Sequence, residues 1–149
     1  IKREMNLAIG ETTAEQIKME IGCASPLMTE ESMEIRGRDL TTGLPKNVIV
    51  TSTQMEEAMK DSIAEIVDVV KSTLEKTPPE LASDIVEKGI VLAGGGALIK
   101  NLDKLLSQKT NMPVYVAENP LDCVAKGAGK TLEDLERLKT VLVNARRRR

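Results

Sequence analysis

The stretch Ile90-Val-Leu-Ala-Gly-Gly-Gly-Ala-Leu98 decides how the rest of the chain is read. Residues 90–93 form a short run that is apolar at every position. Such a run is typical of a strand inside a parallel sheet covered on both faces. Gly94, Gly95 and Gly96 follow at once, and Leu98, Leu102, Leu105 and Leu106 then recur at helical spacing. Three glycines remove every side chain where the strand ends, so a ligand can lie against bare backbone. Ligands of open α/β sheets bind beyond the carboxyl ends of the strands. A helix starting there would add free N–H groups and a positive dipole end. A tight strand-to-helix turn without a ligand explains the triplet equally well.

Downstream, residues 114–117 read as a second strand, and Asn119-Pro120 opens a helix through Val124 and Ala125. Gly127 and Gly129 read as a junction between that helix and a last one carrying Leu132, Leu135, Leu138 and Leu142. Upstream, Thr77-Pro78-Pro79 ends the longest helix, expected from Ser52 or Thr53 to about Lys76. Its stripe is Met55, Met59, Ile63, Ile66, Val70 and Leu74, widened by Val67. A short helix over residues 80–87 leads back to the strand. Residues 53–149 thus form an α/β core lobe whose strand–helix–strand crossover is expected to be right-handed.

The first third differs. Residues 2–8 read as the end of a helix stopped by Gly10. Thr12-x-x-Glu15 is a capping-box pattern opening a helix to Ile21, with Gly22 after it. Residues 33–36 alternate, residues 47–51 are β-branched and apolar, and Gly37 to Pro45 has the composition of a loop joining antiparallel strands. Residues 1–52 are therefore expected to be a small α+β lobe.

Composition narrows the function. The 149 residues are 41% hydrophobic and 30% charged, with no Trp, Phe or His and only Tyr115 as an aromatic. The core must be aliphatic, and base stacking on aromatic side chains is nearly excluded. A net charge of −2 recruits no nucleic acid. Without His or a CxxC pair a transition-metal site is not expected. Cys23 and Cys123 are too few for a disulfide framework. No signal peptide or membrane-length apolar run is seen, which points to the cytosol. The chain opens on Ile1 within an apparent helix, so a fragment or processed product is expected. Residues 146–149 are all arginine and read as a solvated tail, with anionic lipid or nucleic acid as alternatives.

Two glycine fingerprints fail. A dinucleotide fingerprint needs a small residue where Ile99 stands, although Glu118 sits where a ribose-binding acid would be. Gly129-Lys130-Thr131 ends like a P-loop, but Val124 occupies the first glycine position. Glu15 and Lys18 share one face of their helix. Side by side they can hold a ribose or a base edge, or form an ordinary surface ion pair. Asp39 and Asp84 are isolated, and Cys123 reads as buried filler. No catalytic constellation is present, so the chain alone is not expected to hydrolyse anything.

Five ordered segments carry a family resemblance: Gly10 to Gly22, Gly37 to Pro45, Leu74 to Ile85, Val91 to Leu98 and Ala117 to Gly129. In sequence and order they resemble the second half of MreB-type bacterial actin homologues, the family of MreB and its paralogue Mbl. The resemblance implies an actin-like ATPase fold, with residues 1–52 as its outer lobe and 53–149 as its core lobe. It implies cytoplasmic, membrane-associated filaments that guide rod-shape wall synthesis, self-association into protofilaments, and contacts with cell-shape and wall-synthesis membrane proteins. The implied cofactor is ATP with Mg. Gly94, Gly95 and Gly96 match the family's adenosine-binding loop, and Glu15 and Lys18 match the adenosine-side helix. The phosphate loops, the magnesium-site acid, the water-activating glutamate and the membrane element are expected N-terminal to Ile1. The alternative is a fragment of a small-molecule α/β enzyme of the same ATPase superfamily, such as a sugar kinase.

Overall fold

The computed structural model describes residues 1–134 and residue 138. The expected last-helix residues Leu135 and Leu142, and the arginine tail, lie outside the described residues. The order is α1 (Lys2–Met5), β1 (Leu7–Ala8), α2 (Glu11–Ile21), β2 (Ser32–Asp39), β3 (Pro45–Thr51), α3 (Ser52–Glu75), α4 (Pro79–Lys88), β4 (Ile90–Leu92), a 3-10 turn (Gly95–Leu98), α5 (Leu102–Thr110), β5 (Val114–Val116) and α6 (Cys123–Glu133).

The first sheet is antiparallel, in the order β1-β2-β3. The hairpin between β2 and β3 pairs Ile35 with Val48 and Met33 with Val50, so one face is apolar. Its strands run further into the expected loop than composition suggested. Asp39 closes the tip by accepting the N–H groups of Thr41 at 2.8 Å and Thr42 at 3.0 Å. Leu7 and Ala8 are not the end of a helix. They form β1, opposite Asp39 and Arg38, after a single helical turn closed by Asn6 at φ 52°. Leu7, Ile17, Ile21, Ile35, Val50 and Met55 make one core cluster.

The capping box expected at Thr12 does not form, because Gly10 is already the N-cap of α2 and no side chain caps it. The same kind of pattern, Thr51-x-x-Gln54, forms a complete box at the start of α3. The long helix serves two cores. Met55 packs into the first cluster, while Ile63 and Val67 pack with Leu102 and Leu106 in a second. Ile66, expected in the stripe, is 41% exposed. At 100° per residue it falls about 40° outside the arc spanned by Ile63, Val67 and Val70.

The second sheet pairs β4 with β5 in parallel, Leu92 opposite Val116. Leu92 and Val114 pack on α3 and α5 residues, whereas Val91 and Tyr115 are exposed. The strand expected to be covered on both faces is thus covered on one. The helix expected directly after the glycines is replaced by the 3-10 turn, with α5 starting only at Leu102. Gly127 and Gly129 do not form a junction. They lie inside α6, and a Cβ on either meets nothing within 4 Å. Cys123, expected to be buried filler, is only half-buried.

Candidate functional site

The glycine turn sits at the carboxyl ends of both parallel strands. Ala117 N–H donates to Leu92 O at 3.0 Å, and Gly94 N–H donates to Pro120 O at 2.7 Å, fastening the turn to the segment after β5. The turn itself is closed by Ala97 N–H to Gly94 O and Ile99 N–H to Gly96 O, both 3.2 Å. Gly94 has φ 81° and ψ 176°, a region open essentially to glycine alone. Gly95 and Gly96 are under no such demand, since neither has a positive φ. A Cβ on Gly96 would meet nothing within 4 Å, and one on Gly95 would meet only the Leu121 side chain at 3.5 Å, an ordinary contact. Nothing among the described residues explains why these two positions carry no side chain. The helix-dipole contribution expected at the triplet is absent, because the α-helix begins six residues beyond Gly96.

Glu15 and Lys18 are both exposed on α2, away from the buried Ile17 and beside the stripe it forms with Ile21. The ion pair that their spacing permits is not formed. Among the described residues neither side chain has a hydrogen-bond or ion-pair partner, and the ion pairs seen, such as Lys46–Asp39, Lys60–Glu57 and Lys100–Glu31, involve neither of them. The C-terminal end of α2 meets the exit of the glycine turn. Cys23 forms a parallel bridge with Lys100, and Ala24 N–H donates to Lys100 O at 2.8 Å.

This junction contains residues that sequence reasoning missed. The Lys100 ammonium donates to Glu20 O at 2.6 Å and pairs with the Glu31 carboxylate. Asn101 Nδ2 donates to Pro26 O at 3.0 Å. Glu31 N–H donates to Ser52 Oγ at 3.1 Å, and Ser52, 2% exposed, is the first residue of α3. Buried Cys23 donates weakly to Ser52 O at 3.5 Å. Burial, reinforced by the negative charges of Glu56 and Glu31, pushes its thiol up, so it is no nucleophile at neutral pH. A groove of about 400 Å³ between α3 and α5 has Glu56, Lys60, Asp68, Lys71 and Lys109 on its walls. It includes no residue of the glycine turn.

The MreB/Mbl protein family matches residues 1–140. The chain belongs to the MreB/Mbl family. It is 49% identical over 138 residues to the cell shape-determining protein Mbl of Bacillus subtilis, covering 93% of this chain and 41% of Mbl. It is equally 49% identical over 136 residues to the cell shape-determining protein MreB of Escherichia coli, covering 91% of this chain and 39% of that protein. The chain therefore spans about two fifths of the length of these relatives. MreB5 of Spiroplasma citri, solved bound to ADP, superposes with a TM-score of 0.87 at 39% identity, over 92% of this chain and 42% of MreB5. MreB5 solved with AMPPNP gives 0.86 at 38% identity, over 95% of this chain and 43% of that one. A filament of MamK shares the fold at a TM-score of 0.64 and 20% identity. The architecture is a fragment of the actin-like fold, as the resemblance implied.

Proposed function

We propose that this MreB/Mbl chain is the carboxyl-terminal half of an ATP-binding, actin-like filament protein and supplies the adenosine side of its nucleotide site. The observation that carries this reading is the pair Gly95 and Gly96. Their lack of side chains is required neither by backbone conformation nor by packing against the described residues, which is what a surface kept clear for a ligand looks like. The nucleotide-bound state of both MreB5 structures supports it. Gly94 sets the turn, Gly95 and Gly96 let the adenosine approach, and Glu15 and Lys18 offer an unpaired carboxylate and ammonium from α2. Among the described residues no group of three or more His, Cys, Asp or Glu is placed to hold a metal ion. In this reading the Mg ligands belong to the other half of the protein, as the family resemblance implies.

Residues 1–52 are read as the outer lobe and 53–149 as the core lobe. Two separate core clusters support that division, although Met55 crosses it. In the assembled protein the exposed apolar face of β4 and β5, with Val91 and Tyr115, would be covered by elements outside this chain. Filament formation, direction of wall synthesis and contact with membrane proteins belong to this reading of the whole protein. No described helix is long and apolar enough to cross a membrane. The sugar-kinase alternative is not favoured, given the family match across residues 1–140.

The test is Gly95→Val in the full-length protein, titrated with ATP. The variant is expected to stay folded by circular dichroism and to bind more weakly, whereas equal affinity for both proteins refutes the assignment. The isolated chain is expected to release no phosphate from ATP above background. Turnover abolished by a substitution inside these residues would overturn the half-site reading.

A further inference from the structure

Lys100 grips the end of α2 with both its backbone and its side chain. Its N–H donates to Gly22 O at 3.4 Å, its carbonyl accepts Ala24 N–H at 2.8 Å, and its ammonium donates to Glu20 O at 2.6 Å. Glu20 O is one of the last four carbonyls of α2, which have no intrahelical donor. A cation at this end also complements the negative pole of the helix. Gly22 makes the approach possible. A Cβ there would stand 2.3 Å from Lys18 O, so only glycine lets the chain turn from α2 to lie beside Lys100.

The other partner of Lys100, the Glu31 carboxylate, is itself fixed. The Glu31 backbone exchanges hydrogen bonds with Ser52, N–H to Oγ at 3.1 Å and Ser52 N–H to Glu31 O at 2.8 Å. Lys100 also stands four residues after Gly96, with the hydrogen-bonded 3-10 turn between them. Glu20 is two residues after Lys18 within the same helix. Few rotatable backbone positions therefore separate Lys100 from either group of residues read above as facing adenosine.

We propose that Lys100 is a positioning residue: through the Glu20 carbonyl and the Glu31 carboxylate it holds the glycine turn and α2 in one register as two sides of the nucleotide site. This rests on the reading of Gly94 to Gly96, Glu15 and Lys18 as that site. The contribution is geometric more than energetic. The Lys100 and Glu31 side chains are 34% and 42% exposed, and a pair so open to water adds little stability. Fixing two contact surfaces in advance, by contrast, removes an ordering cost from binding.

The experiment uses the full-length protein with Lys100→Met, Lys100→Arg and Gly95→Val, each titrated calorimetrically with ATP and with inorganic tripolyphosphate. Lys100→Met is expected to weaken ATP about tenfold while tripolyphosphate, which has no adenosine, changes less than about twofold. Its Tm should stay within about 4 °C of the parent, and Lys100→Arg should restore most of the ATP affinity. Should Lys100→Met fail to fold, Glu31→Gln, which keeps an acceptor but loses the charge, is expected to weaken ATP about threefold with the same selectivity. Equal losses for both ligands that track a falling Tm would overturn positioning in favour of a merely structural role. Unchanged ATP affinity in Lys100→Met, with Gly95→Val impaired, would overturn the inference and leave the site standing. Unchanged affinity in Gly95→Val would remove the site and the inference with it.

Discussion

Alanine at Gly94 and at Gly96 should change stability in opposite directions, and the contrast tests why the glycines are there. Gly96 lacks a positive φ and has open space where a Cβ would go. Alanine fits there without strain and reduces the entropy of the unfolded chain, a gain of about 0.4–1 kcal/mol. For a chain of this size that raises Tm by about 1–4 °C. Gly94 also has open space, but its φ of 81° and ψ of 176° admit a Cβ only at a backbone cost of about 1–3 kcal/mol. Gly94→Ala should lower Tm by about 2–12 °C. Urea and thermal unfolding of both variants, followed by circular dichroism, measure the difference. In the full-length protein Gly96→Ala should nonetheless weaken ATP, so that a more stable variant binds less well. A loss at Gly96 as large as that at Gly94 would show that the chain itself needs glycine there, and the case for a ligand would fail.

Leu106→Ala, at a position 1% exposed in the second core, should cost about 2–5 kcal/mol in urea unfolding; under 1 kcal/mol would mean that this core does not limit stability. Thr51→Ala removes the capping box of α3 and should cost about 1 kcal/mol, measured the same way. The backbone N–H groups of Thr42 and Thr41, aided by Lys46, hold the Asp39 carboxyl below the usual range. The folded value lies below the unfolded one, so the stability from Asp39 is present above about pH 3.9 and is lost as pH falls further. Asp39→Asn should flatten that part of an acid-unfolding curve, and an unchanged curve would count against the turn. Iodoacetamide at neutral pH should label half-exposed Cys123 in the native chain and Cys23 only in denaturant; equal labelling rates would contradict the buried position of Cys23.

Elements whose cause is local were legible. The double proline at the start of α4, the β-branched run of β3 and the stripe of α3 all act within a few residues. Leu7 and Ala8 show the limit. The seven residues 2–8, of mixed polarity, suit a helix end, and the strand identity of Leu7 and Ala8 comes from pairing with Asp39 and Arg38, some thirty residues away. Thr12 and Thr51 show another. Both open an S/T-x-x-E/Q pattern, but a box needs its threonine at the N-cap in extended conformation, as Thr51 is at φ −120° and ψ 158°. Thr12 is already inside α2 because the helix starts at Glu11, and no four-residue motif records where its helix begins.

The candidate site divides along the same line. The glycine triplet was visible because each missing side chain is a local fact, yet its three members turn out to have different causes. Backbone conformation requires Gly94, while among the described residues nothing requires Gly95 or Gly96, and only φ values and neighbour distances separate these cases. The spacing of Glu15 and Lys18 allowed either a self-satisfied pair or two groups free for a ligand. Only the absence of a partner for either side chain among the described residues leaves them available. Lys100 had no local mark at all. Its partners Glu31 and Glu20 lie 69 and 80 residues away, and an ordinary lysine after a glycine turn gains its role only when the end of α2 folds against it. Residues that face a ligand can thus be marked by what they lack, whereas residues that hold two such surfaces in register are marked only by contacts the fold creates.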